Sequence, residues 1–157
     1  MILEQQNVLS VMLSKYENFC AAFDPGETTG WSVFNLDGVQ IYYGQSKGRD
    51  ALYATLAEIG AVPHVVIEDY RLFQSKALQQ SGSRLETVRV IGSIESWATL
   101  NKSRITLQPS NIKSIASLWS GVVPKGAHKN NHHVDAFNHG YYYLQKNGFI
   151  KPKRRED

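Results

Sequence analysis

Apolar and polar positions along residues 18–46 predict an antiparallel sheet at the start of the fold. Three strand-like segments, rich in β-branched and aromatic residues, follow one another as "NFCAAFD", "TGWSVFNL" and "VQIYYGQS". Asp-Pro-Gly separates the first two segments, and Asp37-Gly38 separates the second from the third, which is a strong hairpin signal. We therefore expect three consecutive antiparallel strands.

The rest of the chain alternates between helical and strand patterns. One short helix is predicted by Leu52, Leu56 and Ile59, which recur on one side of "RDALYATLAEIG". The apolar run "HVVIEDY" is typical of a central strand that is covered on both faces. Later segments predict a long helix across residues 75–102, the strand "RITLQP", the helix "SNIKSIASLWS" and a last helix across "NHHVDAFNHGYYYLQK". This order predicts an α/β fold with a five-stranded mixed sheet and helices on both faces.

Length and composition favour one folded domain. The 157 residues, 42% of them hydrophobic, are enough to bury a core. We expect residues 1–17 to form a helical extension, residues 18–147 the folded domain and residues 148–157 a basic tail. No segment reaches the roughly 20 apolar residues that cross a bilayer, and the first residues do not resemble a signal peptide. The expected location is therefore the cytoplasm, with no membrane partner.

The single cysteine and the distribution of charge limit the kinds of site and partner that we expect. Cys20 is the single cysteine, so a disulfide framework is excluded, a reducing compartment is favoured and zinc is disfavoured. The formal net charge is +3, but residues 1–75 carry −5 and residues 76–157 carry +8. A basic second half suggests a polyanionic partner, although a solvated surface with a basic tail explains the charge equally well.

Two acidic residues end segments that are otherwise apolar. Asp24 closes "FCAAFD" and Glu68 closes "HVVIE", and carboxylates seldom occur in such runs unless they are paired or bind a metal. Asp69 follows Glu68, but adjacent strand residues point to opposite faces of a sheet. Glu68 continues the phase of Val66, so we expect Glu68, and not Asp69, to join Asp24.

The last predicted helix carries a third acid. Its apolar stripe, which we expect to face the core, consists of Val134, Phe137, Tyr141 and Leu144. A second stripe beside it is formed by His132, Asp135 and His139. Oxygen and nitrogen ligands gathered around a cleft fit Mg²⁺ or Mn²⁺. Two such ions can activate a water and stabilise the leaving oxygen in phosphodiester hydrolysis.

Each part of this pattern has a simpler explanation when taken alone. Asp24-Pro25-Gly26 can be a turn, in which Gly26 and Gly30 let the chain reverse, and Glu68-Asp69 can be a strand end. The paired histidines can mark a helix start. The order of the three acids, on two strands and the last helix, is more specific than any one of them.

This order resembles the RuvC-like Holliday junction resolvases of the RNase H-like nuclease superfamily, particularly the short versions carried by phages. The matching motifs are "DPGETTG", "VVIEDYR" and "HHVDA", within a resemblance that covers residues 18–144. It implies an RNase H-like nuclease domain in residues 18–147. It also implies a homodimeric endonuclease that uses Mg²⁺, or Mn²⁺ in its place, with two ions per site. Such an enzyme resolves four-way or branched DNA junctions by paired symmetric nicks in the cytoplasm, of the host cell if phage-encoded, without a nucleotide cofactor.

The resemblance also assigns expected roles to individual residues. Asp24, Glu68 and Asp135 would hold the metals, and His132 would be a ligand or assist the attacking water. Lys113, in "QPSNIK", matches a lysine that supports phosphate binding near the site. Tyr70 and Phe73 are candidates for stacking on a base. The expected DNA-binding residues are Tyr70, Arg71, Phe73, Lys76, Arg84, Arg89, Lys113, Lys125 and Lys129.

Some features depart from the family pattern and leave alternatives open. The stretch from Lys113 to Asp135 is shorter than in the bacterial resolvases, and a second family lysine is matched only loosely by Lys125 or Lys129. The alternatives are another RNase H-like nuclease, specific for flaps, hybrids or terminase substrates, and a non-catalytic junction-binding protein. An actin-like kinase or ATPase needs two such domains, which 157 residues cannot supply.

Overall fold

The computed structural model of the chain describes residues 19–70, 82–121 and 131–151, without the side chains of residues 82–84. The expected extension, residues 1–17, and most of the expected tail lie outside these ranges. In chain order the elements are β1 (Phe19–Asp24), β2 (Thr28–Asn35), β3 (Gln40–Lys47), α1 (Arg49–Ile59), β4 (His64–Asp69), α2 (Gly82–Leu100), β5 (Arg104–Pro109), α3 (Ile112–Ser120) and α4 (His132–Lys146).

The five strands form one mixed sheet in the order β3-β2-β1-β4-β5. β1 and β3 run antiparallel to β2, whereas β4 is parallel to β1 and β5 is parallel to β4. Asp24 pairs with Gly30 across β1 and β2, and Glu68 pairs with Gln108 across β4 and β5. The five-stranded mixed sheet and its antiparallel start are therefore confirmed.

Helices cover both faces of this sheet. On one face, α1 and α2 pack against alternate strand residues, and the predicted apolar side of α1, Leu52, Leu56 and Ile59, is wholly buried. On the opposite face, α4 packs against a smaller cluster that includes Cys20 and Ala22, and α3 packs against α4. No helix in the described ranges is long and apolar enough to cross a membrane.

Strand alternation determines which acids share a face. Cys20, Ala22 and Val66 belong to the cluster under α4, so Asp24 and Glu68, two residues further along their strands, are presented on the same side of the sheet. The carboxyl ends of β1 and β4 are adjacent because these strands are parallel. The placement of Glu68 beside Asp24, in preference to Asp69, follows from this phase.

The buried side of α4 differs from the predicted stripe. Tyr141 and Leu144 are buried as expected, but Val134 and Phe137 are only partly buried. His139 is instead completely buried. The reason is that α4 is covered by the sheet on one side and by α3 on another, so the helix buries a wider arc than one apolar stripe.

Candidate active site

Asp24 is the last residue of β1 and lies at the edge of the buried core. Every residue of β1 is buried. The following turn is closed by Thr29, whose hydroxyl donates to the carbonyl of Gly26 at 3.2 Å. The chain reverses here without a positive φ at Gly26 or Gly30. The turn therefore depends on a threonine side chain rather than on glycine conformations.

Gly30 serves a different purpose, which is close approach. It lies on β2 directly opposite Asp24. A Cβ atom at this position would overlap the backbone carbonyl group of His132, at the start of α4. The missing side chain therefore lets the first turn of α4, with His132 and Asp135, lie against the strand that pairs with Asp24.

Lys113 brings the three predicted acids together. Its ammonium nitrogen lies 2.7 Å from Glu68 Oε2, 3.0 Å from Asp135 Oδ2 and 3.7 Å from Asp24 Oδ1. The lysine comes from the first turn of α3, directly after β5, and the acids come from β1, β4 and α4. Asp135 is only 2% exposed, and the lysine side chain is 24% exposed. The three acids thus converge on one point, which is partly accessible to solvent.

Electrostatics within this cluster shift the pKa values of its members. Burial would lower the pKa of Lys113, but the nearby Asp24, Glu68 and Asp135 carboxyl groups raise it above its usual range. Burial would raise the pKa of Glu68, but hydrogen bonds with His139 and Asp24 and the Lys113 ammonium lower it to about 2. Glu68 and Lys113 therefore form an ion pair at neutral pH.

The first turn of α4 is fixed by contacts with Asp24 and with β3. His132 Nδ1 lies 3.2 Å from Asp24 Oδ2. The backbone N–H of His132 donates to Gln45 Oε1 on β3 at 2.6 Å, which satisfies one of the free N–H groups at the helix start. Tyr43, also on β3, stacks on His133 with 5.0 Å between ring centroids. Contacts from two sheet strands thus hold His132 at the carboxyl group of Asp24.

A buried imidazole contacts Glu68 from the opposite side of the cluster. His139 Nε2 lies 3.2 Å from Glu68 Oε2, and His139 Nδ1 lies 2.8 Å from Gln108 Oε1. Gln108 is the residue of β5 that pairs with Glu68. The carboxyl group of Glu68 is therefore held between a lysine and a histidine.

The donor set fits a hard divalent cation. Among the described residues, no group of three or more His, Cys, Asp or Glu side chains is arranged as a metal site as it stands. The Lys113 ammonium, itself a cation, occupies the point on which the acids converge. Three carboxyl groups face this single ammonium, and carboxylate oxygens are the ligands that Mg²⁺ and Mn²⁺ prefer. Cys20, by contrast, is fully buried in the core, where burial raises the pKa of its thiol, so it offers no zinc ligand here.

The predicted DNA-binding residues are only partly covered by the structure. Tyr70 directly follows β4 and is partly buried. Arg89 on α2 is exposed and lies 3.8 Å from Glu86. Outside the described side chains lie Arg71, Phe73, Lys76, Arg84, Lys125 and Lys129. Their contact with DNA stays a prediction.

Gln45 and Gln108 were not predicted from the sequence, and Gly30 was predicted only to help the chain reverse after Asp24. Each acts through a contact with α4, from which it is distant in sequence: the Gln45–His132 bond spans 87 residues and the Gln108–His139 bond spans 31. A weak signal exists for Gln108, which is a polar residue in the strand "RITLQP" at the same register as Glu68. Gln45 carries no such signal, and the position of Gly30 in "DPGETTG" indicates a turn rather than a close approach to α4.

The fold, though not the sequence, is similar to that of known proteins. The sequence matches no protein-family model and no curated protein sequence. The structure of Thermus thermophilus RuvC in complex with a Holliday junction substrate is similar, with a TM-score of 0.64, 15% sequence identity and coverage of 85% of this chain and 99% of that chain. A structure described as Thermus thermophilus RuvC has a TM-score of 0.60 and 12% identity, and the match covers 82% of this chain and 95% of that chain. These similarities confirm the predicted RNase H-like fold.

Proposed function

We propose that this protein is a metal-dependent endonuclease that resolves four-way or branched DNA junctions by paired symmetric nicks. The observation that carries the proposal is the convergence of Asp24, Glu68 and Asp135 on one cation, the Lys113 ammonium. The fold supports the proposal because it is shared with RuvC, a protein whose structure contains a Holliday junction substrate.

In this proposal the three acids hold Mg²⁺ or Mn²⁺. Asp24, Glu68 and Asp135 would supply carboxylate oxygens, with His132 beside Asp24 as an auxiliary group. When bound, such ions activate water and stabilise the charge of the leaving oxygen. Each acid is held on a strand or helix rather than on a loop, so the ligands are positioned before the metal arrives.

The chain's own residues would bind and orient the scissile phosphate. Lys113 offers a positive charge beside the acids, and its side chain is partly accessible to a substrate. His132 holds Asp24 Oδ2 and is itself partly exposed, so it lies between the cluster and the solvent. The basic second half of the chain would contact the DNA backbone, and binding should weaken steeply with salt.

Paired nicks require two active sites, so the proposal includes a homodimer. The exposed part of α2 supports it, since Leu85 and Val88 are 58% and 46% exposed on a helix whose Ile94 is buried in the core. Leu85 and Val88 lie three residues apart on the helix and so share one face, which is the surface we propose for the contact with a second molecule.

The test is a comparison of binding and cutting by Asp24→Asn. This variant keeps the size of the side chain but loses the carboxylate, so we expect it to bind a labelled four-way junction with unchanged affinity and to nick it at least about 100-fold more slowly. Asp37→Asn, in the exposed turn between β2 and β3, is the matched control and should cut normally. Undiminished cutting by Asp24→Asn would refute the proposed site.

One observation favours a second candidate, a junction-binding protein without catalytic activity. Lys113 already occupies the centre of the acids, and a site filled permanently by its ammonium would neither bind a metal nor cut. Titration of the wild-type protein with Mn²⁺ separates the two candidates. Metal binding that is lost in Asp24→Asn supports the nuclease, whereas no binding supports the second candidate.

A further inference from the structure

His139 and Gln108 form a buried polar pair behind the cluster of acids. His139 is 0% exposed and Gln108 is 4% exposed, and both lie between α4 and the sheet. His139 is one turn beyond Asp135 on α4, and Gln108 is the register partner of Glu68. The imidazole therefore bridges two neighbouring strand residues, with 2.8 Å to Gln108 Oε1 and 3.2 Å to Glu68 Oε2.

Packing alone does not account for this pair. Burying an imidazole and an amide is unfavourable unless both form hydrogen bonds, whereas two apolar side chains would fill the same space without that requirement. Beyond the contact between the two side chains, His139 hydrogen-bonds the carboxyl group of Glu68. The buried groups that orient metal-binding carboxylates in proteins are arranged in this way.

We propose that His139 and Gln108 are positioning residues, which hold the Glu68 carboxylate in the orientation that binds a divalent cation together with Asp24 and Asp135. The inference rests on the proposed metal-dependent function. It assigns no direct contact between His139 and the metal or the DNA. The imidazole acts through Glu68, and Gln108 acts through the imidazole.

This role depends on the direction of the hydrogen bonds. When the Gln108 NH₂ group donates to Nδ1, the neutral imidazole carries its hydrogen on Nε2 and donates it to the ionised Glu68 carboxylate. When the Gln108 oxygen accepts from Nδ1–H instead, the neutral ring has no hydrogen on Nε2 and cannot donate to Glu68. The orientation of the Gln108 amide therefore decides whether His139 is a donor to Glu68. The donor arrangement leaves the other lone pairs of the carboxylate directed toward Lys113 and the cation site.

Three variants at these positions separate positioning from simple packing. His139→Leu removes both hydrogen bonds and retains an apolar side chain. His139→Gln keeps an N–H donor near the position of Nε2 and should restore the contact with Glu68. Gln108→Leu removes the anchor of the imidazole but leaves His139 beside Glu68.

The experiment is a calorimetric titration of the metal-free, full-length protein with Mn²⁺ alone, accompanied by thermal unfolding of each variant. We expect His139→Leu to weaken Mn²⁺ binding at least about tenfold, Gln108→Leu to weaken it about five- to tenfold, and His139→Gln to remain within about threefold of wild type. Thr55→Val is the matched control, because Thr55 is a buried hydroxyl that bonds to Ser46 on the opposite face of the sheet. It should lower the unfolding temperature without changing Mn²⁺ affinity.

The outcomes distinguish the inference from the function on which it rests. If wild type binds Mn²⁺ and folded His139→Leu and Gln108→Leu bind it equally well, the inference is wrong and the proposed nuclease remains. If His139→Leu does not fold, the same comparison is decided by Gln108→Leu and His139→Gln, which must differ from each other as stated. If wild type itself does not bind Mn²⁺, the proposed function is refuted and the inference with it.

Discussion

At the level of single residues, the positive charge of Lys113 offsets the repulsion among the three acids. Three carboxyl groups from β1, β4 and α4 would repel one another at short range, and the ammonium lies within 3.7 Å of each. The positive charge of the lysine therefore offsets the repulsion among the three carboxylates. Its side chain is 24% exposed, so it lies at the border between the acids and the solvent.

The charge of Glu68 leads to a prediction about acid stability. Its pKa is about 2 in the folded protein and 4.5 as the ordinary value, so the folded state favours the ionised form. This contribution to the free energy of unfolding is complete above pH 4.5 and is lost as the pH falls toward 2. We expect it to be about 3 kcal/mol.

Urea unfolding of metal-free wild type and Glu68→Gln between pH 2 and pH 6 measures this contribution. Stability of the wild type should fall by about 2–3 kcal/mol more than that of Glu68→Gln over the window from 4.5 to 2. Glu27→Gln, at an exposed position after β1, is the control. Parallel pH curves for wild type and Glu68→Gln would contradict the assignment of an ionised Glu68 beside Lys113.

At the scale of elements, the site depends on how closely α4 approaches β2. Gly30→Ala places a methyl group on the backbone of His132, so the first turn of α4 must move away from Asp24. We expect a loss of about 1–3 kcal/mol in the free energy of unfolding, together with slower junction nicking.

The matched control is Gly92→Ala on α2, where an added Cβ meets no atom within 4 Å. Since alanine favours a helix over glycine by about 1 kcal/mol, this variant should be as stable as wild type or more stable, and should cut normally. Denaturant unfolding and a nicking assay on both proteins provide the measurement. Equal stability and activity in Gly30→Ala and wild type would refute the close-approach role of Gly30.

Elements and acids were predictable from the sequence because their signals are local. The strand ending in Asp24, the phase that selects Glu68 over Asp69, and the helix that carries Asp135 each depend on neighbouring residues only. The mixed sheet with an antiparallel start then followed from three consecutive strands and the alternating helices and strands after them. A resemblance in three short motifs added the RNase H-like fold, and the similarity to the RuvC structures confirms this fold.

The hydrogen bonds that hold the acids and α4 in place were not predictable, because they join elements that are distant in the sequence. Gln45 caps α4 from β3, and Gln108 reaches His139 from β5, so neither role exists until the sheet and α4 are assembled. In the predicted core stripe of α4, Phe137 does pack against the core, but partly buried, and Val134 is partly buried too, since the position of α3 against α4 determines which arc of the helix is buried. The sequence pattern carries no information about that packing.

At the scale of the whole molecule, the exposed apolar part of α2 is the proposed contact between two copies. Leu85→Glu combined with Val88→Glu introduces charges there without entering the core. We expect wild type to sediment as a dimer and the double variant as a monomer that no longer makes paired nicks. Thr99→Glu, exposed near the end of the same helix, is the control and should remain dimeric. A monomeric wild type, or a dimeric double variant, would contradict the proposed interface.

Cutting of a four-way junction, labelled on each strand in turn, tests directly whether this chain resolves DNA junctions with Mg²⁺ or Mn²⁺. We expect nicks at symmetric positions on two opposed strands, no cutting without the metal, and little cutting of linear duplex, flap or RNA–DNA hybrid. No metal-dependent nicks, or cutting of those other substrates at the same rate as the junction, would contradict the proposed function.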